Sequence, residues 1–257
     1  MENQYQPFTA TSDEFIAELK YSIDNNKPMS LSRIGDGEIA ILKREPNIHT
    51  LEASKTWGYD NVMDLVEDMR KVILESIKHS DWLGVIGPTD FIQNWHKDGT
   101  VKDNWYLDKK YIEESGRIKP VKATDAFIPR SFQLGNVNEL KKILKGTPIA
   151  IVSPETEGLK ANGLAKELGC DINYISVPAG VHFNDRGDII KKIVNVKEHV
   201  ILIAWSVWSK DLSTLLYQHG KVSLDMGAVI ATWAGRQTRW DFRKGAPHAH
   251  CFISHKS

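Results

Sequence analysis

The sequence predicts an α/β protein built on an open, mostly parallel sheet with helices on both faces. Three observations carry that prediction. Short apolar runs alternate with helical patterns along the chain as far as Trp233. Two of these runs, Pro148 to Val152 and His199 to Trp205, are nearly continuous in apolar residues, as strands buried on both faces are. Each run gives way to a polar turn and then a helix, the crossover that parallel strands require. At 257 residues the chain suits one large domain, and 1–257 is read as a single unit.

The elements follow in order. Thr11 and Glu14 form a capping box, and Phe15, Ile16, Leu19 and Ile23 make an apolar stripe for a first helix ending near Asn25. Ser30 to Leu42 reads as strand, tight turn and short helix, with the helix over Glu38 to Arg44. Asn47 to Tyr59 reads as a loop, and from Asp60 a long amphipathic helix carries Leu65, Val66, Met69, Val72, Ile73 and Ile77. Trp82 to Ile86 is a strand, followed by a helix capped at Thr89. The charged, aromatic segment at about 94–119, with Trp95, His96, Trp105, Tyr106 and Tyr111, interrupts the rhythm as a helical insertion, either a lid or an ordinary surface helix.

Val121 to Ile128 resumes as a strand ending at Pro129-Arg130. A helix from about Asn136 to Leu144 follows, closed by Gly146. After the strand ending at Val152 come a helix over Glu157 to Leu168, a strand over Ile172 to Val177 and a helix near Asn184. The strand at His199 to Trp205 leads through Ser206 and Ser209 into a helix ending at His219-Gly220. Val222 to Asp225 is the last strand, and Met226 to Trp233 the last helix. This is a Rossmann-like rhythm, in which ligands collect beyond the carboxyl ends of the strands.

Composition narrows the function. Thirty-three basic and 33 acidic residues cancel, so there is no broad electrostatic footprint for nucleic acid or an anionic membrane, and neither is an expected partner. No segment has the uncharged length of a membrane span. The two cysteines, Cys170 and Cys251, define no disulfide scaffold, and a cytoplasmic location is expected. The Gly-rich dinucleotide fingerprint, the phosphate loop and the nucleophile elbow are all missing from the sequence. His248, His250, Cys251 and His255 give the tail metal-capable residues without a second feature to support them.

The acidic turn is the most informative stretch. Gly35 and Gly37 permit a sharp turn and close ligand approach, while Asp36 and Glu38 can share one hard divalent cation, itself a partner for diphosphate oxygens. An isolated Gly-Asp-Gly is also a plain turn with two solvated acids. Arg33 and Arg130 can pair with phosphate or with those acids. Ser206 and Ser209 can donate to phosphate or simply cap a helix. Asp225 closes the last strand in the same crevice.

These residues resemble a family. Arg33-Ile34-Gly35-Asp36-Gly37-Glu38 is similar to the Arg-x-Gly-Asp-Gly-Glu signature of bacterial GT-D-type glycosyltransferases, whose Asp-x-Glu motif holds the metal of a nucleotide-sugar donor. Phe127-Ile128-Pro129-Arg130 resembles that family's Phe-Ile-x-Arg segment, and Leu202 to Asp225 with Met226-Gly227 its C-terminal portion. Two departures stand out. Ser206-Val207-Trp208-Ser209 replaces a Gly-Pro-Thr-type turn, and Ala228 stands where a histidine is typical.

The resemblance implies a GT-D-type sheet and a transferase that moves a sugar from a nucleoside diphosphate, with UDP foremost, to a glycan or glycoconjugate hydroxyl. Asp36 and Glu38 would bind Mn2+ or Mg2+, and Arg33, Gly35, Gly37, Arg130, Ser206, Ser209 and Asp225 would contact the donor. Glu155, His182 and Asp225 are candidates for a base. A metal-dependent phosphohydrolase and a non-catalytic nucleotide-sugar binding module are the competing readings.

Overall fold

The computed structural model describes residues 12–85, 107–125 and 137–236. Its strands are β1 (Met29–Ile34), β2 (Trp82–Val85), β3 (Lys122–Asp125), β4 (Ile149–Ser153), β5 (Ile172–Ser176), β6 (Val200–Ile203) and β7 (Val222–Asp225). They form one sheet in the order β3-β2-β1-β7-β6-β4-β5, and every pairing is parallel. The expected mostly parallel sheet is therefore wholly parallel among the described residues.

Alternation along the strands explains why both faces are covered. In β4, Ile149 and Ile151 point to one core while Ala150 and Val152 point to the other. In β6, Val200 and Leu202 oppose Ile201 and Ile203 in the same way. The first core is closed by α1 (Ser12–Asp24), α6 (Val137–Leu144), α7 (Thr156–Ala161), α8 (Leu164–Leu168) and α11 (Ala228–Trp233). The second is closed by α2 (Asp36–Leu42), α4 (Val62–His79), α5 (Lys109–Glu114), α9 (Arg186–Val194) and α10 (Trp208–Gln218). α3 (Ile48–Thr56) packs on α4.

α10 lies across β1 and β7 and sets the geometry of the site. Small residues let it approach closely. Ser213 Oγ donates to the Leu31 carbonyl at 3.2 Å, and Ser223 Oγ donates to the Ser213 carbonyl at 2.8 Å. On either side of Leu31 in β1, Ser32 and Ser80 pair their hydroxyls at 2.6 Å, and Ser30 Oγ accepts from the Asp81 amide at 2.8 Å. These buried hydroxyls are satisfied within the protein, so they fix α10 rather than destabilise it.

Several boundaries differ from expectation. Asn47 to Tyr59 contains helix α3 rather than a loop, because Asn47 caps it by accepting from the Thr50 amide at 3.0 Å. Its polar face hides the periodicity that would announce a helix. The expected single helix over Glu157 to Leu168 is two, divided where Gly163 takes a left-handed conformation (φ +68°) and the Asn162 side chain donates to the Trp233 carbonyl at 3.0 Å. The helix after β1 begins at Asp36 instead of Glu38, so Gly35 is its extended N-cap and Gly37 a helical residue, not the centre of a turn. The helix near Asn184 opens as a 3-10 turn over Phe183–Asp185, and the last helix starts at Ala228, two residues late.

Of the insertion, residues 107–119 are described. α5 is a core element, with Tyr111 and Ile112 buried and Arg70 paired to Glu114. Arg117 donates to the carbonyls of Ile77 and Ser80 at 2.7 and 2.8 Å, tying this segment to the end of α4. Trp95, His96, Trp105 and Tyr106, together with the helix expected at Thr89, lie outside the described residues. So do Phe127 to Arg130 and the histidine-bearing tail.

Candidate active site

The carboxyl ends of four neighbouring strands, β1, β7, β6 and β4, open onto a cleft of about 310 Å³. β1 and α2 supply Arg33, Gly35, Asp36 and Glu38; β4 and its turn supply Ser153, Pro154 and Glu155. β6 and α10 supply Ala204, Ser206 and Lys210, and β7 and α11 supply Asp225, Gly227, Ala228 and Ala231. The crossover rule for parallel sheets thus brings together residues separated by nearly the whole described chain.

At its floor lies an ion cluster. The Lys210 ammonium, 6% exposed, sits 2.8 Å from Glu38 Oε1 and 3.0 Å from Asp225 Oδ2. Glu38 Oε2 accepts from the Gly35 amide at 2.9 Å, so one carboxylate both caps its own helix and holds the lysine. Asp225, 1% exposed, accepts from the Arg33 amide through Oδ2 at 3.3 Å and from the Gly227 amide through Oδ1 at 3.2 Å. β1, α2, α10 and β7 are joined through two carboxylates and one ammonium. Removing one partner of such a buried pair leaves an uncompensated charge, which is the costly event.

Burial works to raise the Glu38 carboxyl, yet the Lys210 ammonium, the Gly35 amide and the Arg33 charge hold it below the ordinary glutamate value of 4.5. Burial likewise pulls the Lys210 ammonium down, and Asp225 and Glu38 together push it above its ordinary value. A depressed carboxyl contributes stability above its unfolded value of 4.5 and loses it as pH falls through the lower native one. The difference in melting temperature between the parent and Glu38→Gln is therefore expected to be largest near neutrality and to shrink as pH falls below 4.5 through the lower native value. Melting curves across that range would contradict this if the gap stayed constant.

Arg33 reaches the cleft beside Gly227. That glycine has φ +53° and ψ −136°, and a Cβ there would fall on the Arg33 Nη1 atom. Only a residue without a side chain lets the guanidinium pass so close to the backbone. Ser206, exposed and at φ +49°, lines the cleft just ahead of α10. Glu155 lines the opposite side, its Oε2 2.7 Å from Arg236 Nε.

Among the residues singled out by sequence, Arg33, Gly35, Asp36, Glu38, Ser206, Asp225 and Glu155 line one cleft. Ser209 does not: it is buried inside the first turn of α10, and its Oγ accepts from the Trp205 amide ahead of the helix at 2.7 Å, while the N-cap itself is Val207, so it is not the expected helix cap either. His182 is also elsewhere, stacked on Tyr59 with ring centroids 4.2 Å apart, its Nδ1 accepting from the Asn184 amide. Gly37 is on the exposed side of α2, and a Cβ there would meet nothing. Arg130 lies outside the described residues. Lys210 was not expected from the sequence. Its signal is a charged residue in a helix whose neighbours Trp208, Ser209, Leu212 and Ser213 are all buried, so it must have a partner.

A family model described as a GT-D fold-like domain matches residues 10–233. The chain belongs to the GT-D-like family. The matched span of this GT-D-like protein contains every described cleft residue from Arg33 to Ala231. Among solved structures, one reported as showing that the highly conserved domain of unknown function 1792 has a distinct glycosyltransferase fold is 20% identical. It aligns over 83% of this chain and 77% of that chain with a TM-score of 0.57. A new glycosyltransferase (DUF1792) from Streptococcus sanguinis is 19% identical over 90% of this chain and 84% of that one, with a TM-score of 0.54. Curated proteins supply no match. The GT-D-like sheet described above is thus a glycosyltransferase fold.

Proposed function

We propose that this GT-D-like protein is a glycosyltransferase that moves a sugar from a nucleoside-diphosphate donor, UDP-sugar foremost, to a hydroxyl of a glycan or glycoconjugate acceptor. The observation that supports this reading most is the charge arrangement at the strand ends. Arg33 and Lys210 face Asp36, Glu38 and Asp225, a formal excess of one negative charge, while Glu155 is answered by Arg236. A diphosphate entering alone would be repelled by that excess, whereas one carrying a divalent cation would not.

The donor set suits such a cation. Asp36 and Glu38 are hard oxygen ligands on the first turn of α2, and no group of three acidic, histidine or cysteine side chains converges among the described residues. One or two carboxylates, with water and phosphate oxygens completing the shell, is the usual arrangement for Mg2+, and Mn2+ shares its preference for oxygen ligands. Asp36 and Glu38 would hold the ion; when bound, it offsets charge on the departing diphosphate. Arg33 adds a guanidinium to that diphosphate, and the exposed Ser206 hydroxyl donates to its oxygens. Glu155, at the mouth of the cleft and not committed to Lys210, accepts the proton of the acceptor hydroxyl.

Calorimetric titration of UDP with manganese, repeated with chelator, tests the proposal. Binding that requires manganese is expected; equal binding in both conditions, or none in either, would overturn it. Donor turnover that proceeds without any acceptor would favour the phosphohydrolase reading instead. Gly37→Ala separates fold from ligand approach. Alanine inside α2 should stabilise the protein by about 0.5–1 kcal/mol, while UDP affinity should stay parental because a Cβ at this exposed position outside the cleft lining meets nothing; thermal melts and the same titration read both.

A further inference from the structure

Lys210 has no part in the reaction just described, yet it occupies the floor of the cleft. Its ammonium is a compact point charge with three donors and no acceptor. Glu38 Oε1 lies 2.8 Å and Asp225 Oδ2 3.0 Å from it. The helix that carries it cannot readily shift: Trp208 is fully buried, Thr214 Oγ1 donates to the Lys210 carbonyl at 3.0 Å, and Ser213 Oγ donates to the Leu31 carbonyl in β1. The positive charge is therefore built in.

A divalent cation held by Asp36 and Glu38 would share one carboxylate with this ammonium. Glu38 has its other oxygen on the Gly35 amide, so part of its charge is already neutralised before any ion arrives. Alone, the ion meets two carboxylates, of which Glu38 is already engaged by an ammonium and an amide, and a fixed like charge beyond it. A diphosphate reverses the balance, because it adds negative charge and oxygen ligands together.

We propose that Lys210 is a positioning residue that makes divalent-cation binding in the cleft conditional on the nucleoside diphosphate: weak for the ion alone, tight for the pair. The inference rests on the reading of the cleft as a metal-assisted diphosphate site. By linkage, the factor by which UDP tightens Mn2+ binding equals the factor by which Mn2+ tightens UDP binding, and Lys210 sets it.

The test is titration of Mn2+, followed by the paramagnetic resonance of the free ion, with and without UDP, on the parent and on Lys210→Met and Lys210→Arg. The parent is expected to bind Mn2+ at least about tenfold more tightly with UDP than without. Lys210→Met should bind Mn2+ alone about tenfold more tightly than the parent does, with the gain from UDP shrinking to match. Lys210→Arg keeps the charge and should keep the parental pattern. If Lys210→Met does not fold, the pair Lys210→Met with Asp225→Asn removes one charge of each sign and should show a smaller gain in the same direction, since Glu38 loses its ammonium while the more distant attraction of Asp225 is lost as well.

Two results overturn the proposal, and they differ. A parent that shows the UDP-dependent gain while the methionine variant binds free Mn2+ no better removes the role of Lys210 alone. A parent that binds Mn2+ no better with UDP removes the diphosphate reading along with it.

Discussion

Gly227→Ala is expected to lower the melting temperature by roughly 3–10 °C and to weaken donor binding at the same time. The first effect comes from the backbone: φ +53° with ψ −136° is a region that an L side chain enters only at a cost of about 1–3 kcal/mol. The second comes from Arg33, because the new Cβ would take the place of its Nη1 atom. An arginine side chain can swing away, so this clash adds little to the loss of stability; it moves the guanidinium out of the cleft instead. Thermal melts and UDP titration therefore report separate consequences of one methyl group. Arg33→Ala supplies the comparison, since it should reproduce the binding loss without the backbone cost. If Gly227→Ala melts with the parent, the left-handed turn after β7 is misassigned.

Asp36→Ala is expected to reduce sugar transfer by about 100- to 1,000-fold, the range seen when charge stabilisation of a developing anion is removed. The variant should disturb folding less than Glu38→Ala does, because Asp36 is half-exposed at the start of α2, whereas Glu38 and Asp225 are the carboxylates within 3.0 Å of the Lys210 ammonium. Glu38→Ala would make a poorer test. It removes the cap on Gly35 and one of the two partners of Lys210, so lost activity would be mixed with lost stability. Transfer measured with saturating Mn2+ and donor, alongside the melt, distinguishes the two cases. An Asp36→Ala protein with parental transfer rates would show that the carboxylate at the start of α2 takes no part in the chemistry.

Much of this arrangement is legible in the sequence, for identifiable reasons. The central strands β4 and β6 announce themselves because strands buried on both faces need apolar residues at successive positions, as Ile149 to Val152 and Val200 to Ile203 show. The cleft follows from topology: given parallel strands, the residues after their carboxyl ends converge, and Arg33, Asp36, Glu38, Glu155, Ser206 and Asp225 do so. What could not be read is a property of packing. Ser209 looks like a phosphate donor or a cap, and packing alone shows its hydroxyl inside α10 accepting from the Trp205 amide ahead of the helix. Lys210 looks like any helical lysine until α10 is seen to be buried on nearly every side. Helix α3 carries too few apolar residues to show a stripe, and the break at Gly163 depends on Asn162 reaching Trp233, 71 residues away.

The order of strands bears on how the chain is made. β7 is last in sequence among the described strands but lies between β1 and β6, hydrogen-bonded to both. Until residues 222–225 leave the ribosome, β1 and β6 each present a bare edge, the kind of surface on which other chains add strands. The nascent protein must therefore carry two sticky halves, one with β1 to β3 and one with β4 to β6, which the final strand joins. Asp225 arrives with that strand and completes the grip on Lys210, so the cleft is assembled at the moment the sheet is sealed.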